Sequence, residues 1–285
     1  MAPSVREALT RGRQILRRAG VPEAAVDAEV LLAHVLATDR LALYRDEQRT
    51  LSPREWTLFR DLLARRARRE PVAYLTGRKE FMGLTFAVNR AVLIPRPETE
   101  LLVERALTLL SGREAPVVVD VGTGCGAVAV SLAHYHPGAE VYATDISDAA
   151  LTVARENAAR HGLAHRVCFY CGDLLAPVAF LAGRVDLVVA NLPYVPSGEL
   201  ARLPPDVRDY EPRAALDGGP NGLAPYRRLV PQAASTLRAG GILLAEVGPG
   251  QGRVVADLLV AAGWRRTRVI LDYGGRERVV EAVRQ

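Results

Sequence analysis

Val185-Asp186-Leu187-Val188-Val189-Ala190-Asn191-Leu192-Pro193-Tyr194-Val195-Pro196 is the stretch on which the reading of the fold turns. Its first half is a run of mostly β-branched apolar residues, which reads as a buried strand. Its second half ends that strand: Pro193 has no N–H to give to a ladder, and Pro196 fixes φ, so the backbone must leave the sheet. An amide side chain, Asn191, and an aromatic ring, Tyr194, are thereby held at a strand's carboxyl end. In open α/β sheets this is the end at which ligands bind.

Strands and helices alternate on both sides of this stretch. Strands are expected at Val117 to Val121, Glu140 to Thr144, Arg166 to Tyr170, Val185 to Ala190, Gly241 to Val247, Arg266 to Asp272 and Glu277 to Val283. Helices are expected at Ala127 to Tyr135, Ser147 to His161, Tyr226 to Leu237 and Gly250 to Ala262. Such alternation makes an α/β domain with a mostly parallel, doubly wound sheet. The last two strands are joined at Gly274-Gly275, too tightly for a crossover helix, so they should pair antiparallel.

Residues from Val5 to about Pro71 are of another kind, Arg-rich and helical, with apolar positions such as Val26, Val30, Leu31 and Val35 at helical spacing. Ser52-Pro53-Arg54-Glu55 has the form of an N-cap, a proline at the first helical position and an acidic first turn. The helix it opens ends in Arg65, Arg66, Arg68 and Arg69, which complement the helix dipole. The expectation is a small bundle of four or so helices, its last helix presenting a basic face that is either solvated or used to grip a macromolecular partner. Pro71 to Pro97 mixes Tyr74, Leu75, Phe81, Phe86 and Val88 with Gly77 and Gly83, and reads as a β-hairpin or irregular linker. Ile94-Pro95-Arg96-Pro97-Glu98-Thr99-Glu100 then sets a rigid turn into a helix. Arg96 and Glu98 stand at that entry, where they either line a cleft or cap the helix.

The 285 residues suffice for a large domain and a small one, and a hydrophobic content of 49% provides a sizeable core. No apolar run has the length of a membrane span, and Met1 to Gly20 lacks the apolar segment of a signal peptide, so a cytoplasmic protein is expected. The net charge of +5 is carried almost wholly by arginine, Lys79 being the only lysine. That balance points to a solvated basic surface, and only weakly to an RNA-rich partner. No metal site is expected. Cys168 and Cys171 form a single pair in a strand, where odd spacing sends their sulfurs to opposite faces. His161 and His165 flank Gly162 at a helix end, and His134 and His136 read as ordinary helix-end residues.

Two strand ends carry a binding signature. The first ends in Asp120-Val121-Gly122-Thr123-Gly124-Cys125-Gly126, whose glycines let a ligand approach the backbone. The spacing is G-x-G-x-G, one residue short of the G-x-G-x-x-G of a dinucleotide site. Asp120 can meet an ammonium group, and Asp145, at the end of the next strand, suits a ribose diol or caps the following helix. Two acids fit a cationic nucleoside better than a diphosphate, and S-adenosyl-L-methionine is such a ligand. Asp173, after the third strand, either faces the adenine or caps a turn.

Asn191-Leu192-Pro193-Tyr194 resembles the (Asn/Asp)-Pro-Pro-Tyr motif of methyltransferases that alkylate conjugated nitrogens. An amide nitrogen is a poor nucleophile because its lone pair is delocalised, so the enzyme must orient it. The side-chain oxygen of Asn191 and the backbone carbonyl of residue 192 can each accept one hydrogen of an NH₂ group, and Tyr194 can stack on the flat group. The whole chain is similar to the HemK/PrmC-type release factor protein-(glutamine-N5) methyltransferases. The likeness rests on Leu93-Ile94-Pro95-Arg96-Pro97-Glu98-Thr99-Glu100, the Asp120 to Gly126 loop, Asn191 to Tyr194, Tyr210-Glu211-Pro212 and Asp272-Tyr273-Gly274-Gly275-Arg276-Glu277-Arg278, in that order.

This resemblance implies a class I adenosylmethionine-dependent methyltransferase sheet in residues 96–285, mostly parallel with the last strand antiparallel. Before it come an all-helical substrate-recognition domain in residues 1–72 and a β-hairpin linker in residues 73–95. It implies that Gly122 to Gly126, Asp145, Leu174 and Asn191 contact S-adenosyl-L-methionine, and that Asn191 to Tyr194 hold the glutamine of the Gly-Gly-Gln motif of a peptide-chain release factor. Arg96 and Glu98 are carried with the substrate site. One position departs from the motif: Leu192 stands where the family has its first proline, which keeps the carbonyl but removes one fixed φ. The tetrapeptide's chemistry serves an adenine-N6 or other nucleic-acid methyltransferase equally well, although extruding a base from duplex DNA calls for a target-recognition region. It also serves a glutamine methyltransferase of a ribosomal protein. A non-catalytic adenosylmethionine-binding protein would have no need of Asn191 and Tyr194, and the glycine spacing disfavours a dehydrogenase.

Overall fold

Serine and aspartate caps start three of the N-terminal helices. In α1 (Val5–Arg18) the Ser4 hydroxyl accepts the Glu7 N–H while Glu7 accepts the Ser4 N–H, each at 3.2 Å. The same reciprocal pair, Ser52 and Glu55, opens α4 (Pro53–Ala67), with Pro53 at the first helical position as its sequence predicts. Between them lie α2 (Ala24–Val35) and α3 (Arg40–Arg45), the latter capped by Asp39. The apolar faces meet around Leu16, Leu31, Leu32, Phe59 and Leu63, all fully buried. Gly12 admits the Phe59 ring, since a Cβ there would lie 2.9 Å from it.

The computed structural model describes residues 2–285. It divides into two units: Met1–Arg78 with Pro204–Tyr210, and Lys79–Leu203 with Glu211–Gln285. The return of Pro204–Tyr210 to the helical unit has no counterpart in the sequence reading, and its cause is the arginine run. Arg66 is buried and donates to Asp27 and to Asp206, both at 2.7 Å, Asp206 lying in the short helix at Pro205–Arg208. Arg69 also donates to Asp206, Arg65 pairs with Glu70, and the Tyr210 hydroxyl donates to the Arg68 carbonyl. Burial alone would push the Asp206 carboxyl up, but Arg66 and Arg69 together hold it below the usual range. Three of the four arginines are thus spent on internal pairs, which corrects the picture of one free basic face. The stretch read as a hairpin or irregular linker opens with a helical turn. Val72–Thr76, including Tyr74 and Leu75, is a helix (α5) that ends at Gly77 with φ +71°, where a left-handed backbone favours glycine.

The second unit begins at Lys79, inside the first strand of the expected hairpin, β1 (Arg78–Phe81) and β2 (Leu84–Ala87), turned at Met82 and Gly83. After the Pro97–Thr99 turn and α6 (Glu100–Leu110) comes a seven-stranded sheet. Its strands are β3 (Val117–Val121), β4 (Glu140–Asp145), β5 (Val167–Cys171), β6 (Val185–Ala190), β7 (Leu237–Glu246), β8 (Arg265–Leu271) and β9 (Glu277–Val283), in spatial order β5-β4-β3-β6-β7-β9-β8. All neighbours pair parallel except β9, which runs antiparallel to β7 on one side and to β8 on the other. Order reverses between β3 and β6, so a crevice opens at their carboxyl ends. Helices α7 (Ala127–Tyr135), α8 (Asp148–Arg160), α10 (Ala224–Thr236) and α11 (Gly252–Ala261) follow the sequence reading to within a few residues, α9 being the short helix at Pro205–Arg208. Strand β7 starts earlier than expected, directly after α10, at the cost of a register shift against β6 between Val185 and Leu187. Of the described residues, none belongs to a helix long and apolar enough to cross a membrane.

Strand β6 sits centrally, with Val185, Leu187, Val188, Val189 and Ala190 buried. Its one charged residue, Asp186, accepts the Val117 N–H and pairs with Arg113 and Arg238, so the amino end is held by ions and the carboxyl end is left to the site. Asn157 of α8 is fully buried and ties hairpin to sheet: it accepts the Ala87 N–H at 2.7 Å and donates to the Ala87 and Cys125 carbonyls. Replacing Asn157 with Ala strands these three backbone groups, and urea unfolding should show a loss on the order of 3 kcal/mol; a loss within about 0.5 kcal/mol, the range of ordinary surface changes, would contradict this.

Candidate active site

The crevice holds a cavity of about 340 Å³ lined entirely by the second unit. The glycine loop after β3 forms one wall. Gly122 and Thr123 donate to the Thr144 carbonyl at 2.8 and 2.9 Å, and Gly122, Gly124 and Gly126 all have positive φ, which explains the repeated glycines. A Cβ on Gly124 would meet no protein atom within 4 Å, so this backbone faces open space. Gly126 does not line the cavity. A Cβ there would lie 3.1 Å from that of Ala154, so this glycine lets α7 start hard against α8.

Asp120 and Asp145 both line the cavity, at adjacent strand ends. Asp120 is buried, accepting the Thr123 hydroxyl at 2.6 Å and the Ala129 N–H at 3.1 Å. Burial pushes its carboxyl up to about 7, and the charge of Asp145 adds to this. Asp145 accepts the Gly124 and Ser147 N–H groups, both at 2.9 Å, so it braces the loop and the turn before α8, which Ser147 caps. Its pKa too is raised by burial, against those backbone bonds. Neither acid has a basic side chain among the groups that shift it. Two desolvated acids without a protein cation, beside an open glycine backbone, are acceptors that fit a cationic nucleoside. Cys125 is buried, and burial pushes its thiol up to about 12, so it stays protonated.

Asp173 and Leu174 also line the cavity. Asp173 is ion-paired with Arg228 of α10, a partner the sequence did not suggest; Leu174 has φ +50°. Asn191 lines the cavity as well, and its Nδ2 donates to the Thr99 hydroxyl at 3.1 Å. Leu192 is buried, with Cδ2 3.1 Å from where a Gly122 Cβ would be, so the leucine packs the floor beneath the glycine loop. Pro193 is in the lining and Tyr194 is not. The Tyr194 ring lies against Gly248, whose Cβ would approach its Cδ2 to 2.9 Å, and its carbonyl accepts the Gln251 side chain at 2.9 Å. Val195 then exchanges backbone bonds with Leu216 and Gly218, which fixes the chain beyond Tyr194.

Arg96 lines the cavity but is paired with Glu211, a buried carboxylate that also accepts the Ile94 N–H at 3.1 Å. This bridge joins the Pro95-Arg96-Pro97 turn to Glu211 of Tyr210-Glu211-Pro212. Glu98 is exposed and outside the lining. Two residues of the site were not singled out from sequence, Thr99 and Glu246. Thr99 is buried and accepts the Asn191 Nδ2; Glu246, the last residue of β7, is buried too, and burial pushes its carboxyl up to about 7. The signal for Glu246 was available: one acid ending an otherwise apolar run, Ile242-Leu243-Leu244-Ala245-Glu246-Val247.

Comparison with known proteins agrees with this architecture. Residues 7–77 match the model of the PrmC N-terminal domain, and residues 118–208 match that of a methyltransferase domain. The chain is 48% identical over 283 residues to the release factor glutamine methyltransferase of Moorella thermoacetica, covering 99% of both chains. It is 42% identical to that of Geobacter sulfurreducens, over 97% of this chain and 95% of the relative. Among solved structures, the hMettl16 catalytic domain in complex with the MAT2A 3'UTR hairpin 6 aligns with a TM-score of 0.59 at 16% identity, covering 76% of this chain and 80% of that one, a likeness of fold alone. A class I methyltransferase sheet with an open glycine loop, an amide at the end of β6, and full-length relatives of one description together place this chain in the release factor glutamine methyltransferase family.

Proposed function

We propose that this protein transfers a methyl group from S-adenosyl-L-methionine to N5 of the glutamine in the Gly-Gly-Gln motif of a peptide-chain release factor, in the cytoplasm and without a nucleic-acid requirement. The observation that carries the reading is Asn191 on the wall of a cavity whose two acids, buried Asp120 and half-buried Asp145, have no basic side chain acting on them. When bound, the cofactor supplies an electrophilic methyl on a sulfonium and leaves as a neutral thioether. Asp120 meets its ammonium group, Asp145 its ribose, and Gly122 to Cys125 with Asp173 and Leu174 complete the pocket.

The chain's own task is orientation. The Asn191 Oδ1 and the Leu192 carbonyl each accept one hydrogen of the glutamine NH₂, which fixes the plane of the amide and turns its nitrogen toward the methyl carbon. Stacking on the amide is assigned to Tyr194, which requires its ring, seated against Gly248 outside the lining, to turn toward the substrate; burial raises its pKa, so it stays a neutral phenol. Arg96, held by Glu211, and Glu98 border the substrate's entry. Leu192 is compatible with the clamp because only its carbonyl is used, and its buried side chain replaces by packing the rigidity a proline would bring. We assign the helical unit, residues 1–72 in the sequence division, to recognition of the release factor, with residues 73–95 as the hairpin linker to the methyltransferase domain in residues 96–285.

Mass spectrometry of a release factor incubated with enzyme and cofactor should find one added methyl on the Gly-Gly-Gln glutamine. Methylation of RNA or DNA in its place would overturn the assignment. Asn191→Ala should lower kcat by at least about a hundredfold, since one acceptor of the clamp is gone, while calorimetry finds adenosylhomocysteine affinity changed only a few-fold. Asp120 gives a pH dependence. A bound ammonium group favours the ionised carboxylate, so affinity for adenosylhomocysteine should weaken as pH falls through about 7, by up to about tenfold per pH unit below it. Asp120→Asn should remove that slope, and a wild-type affinity flat from pH 8 to pH 5.5 would exclude Asp120 as the ammonium's partner.

A further inference from the structure

On the assignment above, Tyr194 has to do two things at once. Its ring, seated on Gly248, must turn to reach the substrate, and its backbone must stay where the clamp needs it. A side chain turns about its χ angles without moving its Cα. The ring arrives in one place only if the peptide it stands on is held still.

The Tyr194–Val195 peptide is held from both edges. Its C=O accepts the Gln251 Nε2 at 2.9 Å, and its N–H, that of Val195, donates to the Leu216 carbonyl at 2.9 Å. A peptide unit is planar, so two bonds on opposite edges fix the plane and with it ψ of Tyr194. Gln251 comes from the turn between β7 and α11, and its amide fits only one way round. The Gly248 N–H donates to Oε1 at 3.0 Å, which leaves the NH₂ for the Tyr194 carbonyl; a backbone N–H only donates and a carbonyl only accepts. The Gln251 N–H donates to the Gly248 carbonyl at 3.1 Å and closes the turn beneath the side chain, which makes no capping bond to α11. Gly222 leaves the room for this contact: a Cβ there would lie 2.2 Å from the Tyr194 oxygen and 2.5 Å from Nε2. The receiving loop is tied as well, since the Asp217 carboxylate next to Leu216 accepts the Gly219 N–H at 3.0 Å.

We infer that Gln251 is a positioning residue for the transfer: it fixes the peptide after Tyr194, so that the ring turns onto the glutamine amide from a stationary Cα. The inference rests on the stacking role given to Tyr194 above. Gln251 stands outside the cavity lining, and no step of the transfer uses it directly. Its contribution reaches the substrate only through Tyr194. The turn that carries it follows β7 while Tyr194 follows β6, so the same amide ties the exits of two neighbouring parallel strands. A tie of that kind serves stability alone unless the rate depends on it, and kinetics separates the two roles.

Gln251→Met keeps the length of the side chain and removes its amide. It should lower kcat on a release factor by roughly ten- to a hundredfold, the scale of a misplaced orienting group, with KM within a few-fold of wild type. Calorimetric affinity for adenosylhomocysteine should also stay within a few-fold, which reports that the variant is folded. In Tyr194→Ala, where there is no ring to place, Gln251→Met should cause no further loss of kcat. A role in stability alone would lower the urea midpoint of Gln251→Met and leave the kcat of the folded enzyme at the wild-type value. That result would overturn the inference, as would losses that multiply in the double variant. Tyr194→Ala separates the two levels. At the wild-type rate it removes the stacking role and this inference with it, whereas a slow Tyr194→Ala beside a fully active Gln251→Met leaves the stacking role and removes only Gln251.

Discussion

The backbone cannot continue in the sheet beyond Ala190, and much of the site is arranged by this. Pro193 has no N–H for a ladder, and Val195 takes its backbone partners from Leu216 and Gly218 in place of a strand. The break falls where the strand order reverses, between β3 and β6, so the freed residues come out beside the glycine loop and not over a closed sheet. Leu192 joins the two by packing on Gly122. A residue with a side chain at 122 would press on that leucine and would need a left-handed backbone besides. Glycine loop and strand exit therefore constrain each other.

Charge in this unit is divided between the two ends of the sheet. At the amino end of β6, Asp186 has Arg113 and Arg238 and sits below the usual carboxylate range: burial pushes it up, but the Val117 N–H and those arginines outweigh it. At the carboxyl ends, Asp120 and Asp145 have no such partners and are pushed up by burial. The folded pKa of Asp120 lies above its unfolded value, so the native state gains from its protonation at low pH and loses that gain as pH rises to about 7. A cation arriving at the cavity offsets this loss. On the assignment proposed above, acids left without a basic partner weaken the empty protein and favour a cationic nucleoside.

Most of the fold was legible because its signals are local. The apolar runs of β3 and β6, the Ser52 to Glu55 cap and the Gly274-Gly275 turn depend on neighbours in sequence, and each stands where its residues place it. What escaped was non-local. The arginines of α4 read as a surface because their partners, Asp27 and Asp206, lie far along the chain. Val72–Thr76 read as linker because five residues are too few to show a helical period. Asp173 could not be given its partner Arg228 from spacing, and Gly126 looks like its neighbours in the loop until α8 is seen against it.

Thr99 and Glu246 escaped for a further reason. A motif search looks for groups that touch the reactant, whereas Thr99 meets only the Asn191 amide and Glu246 lies buried at the end of β7. Sequence nonetheless held a hint in each case. Thr99 precedes a helix it does not cap, and Glu246 is an acid at the end of a strand whose preceding residues, Leu243 to Ala245, are buried. A buried carboxyl whose Oε2 finds no hydrogen-bond donor raises its own pKa and costs stability. An apolar residue there would be cheaper for the fold. The neighbours of Glu246 lessen that cost: its backbone carbonyl takes the buried Tyr226 hydroxyl, and the positive charge of Arg278 works against the desolvation of its carboxyl.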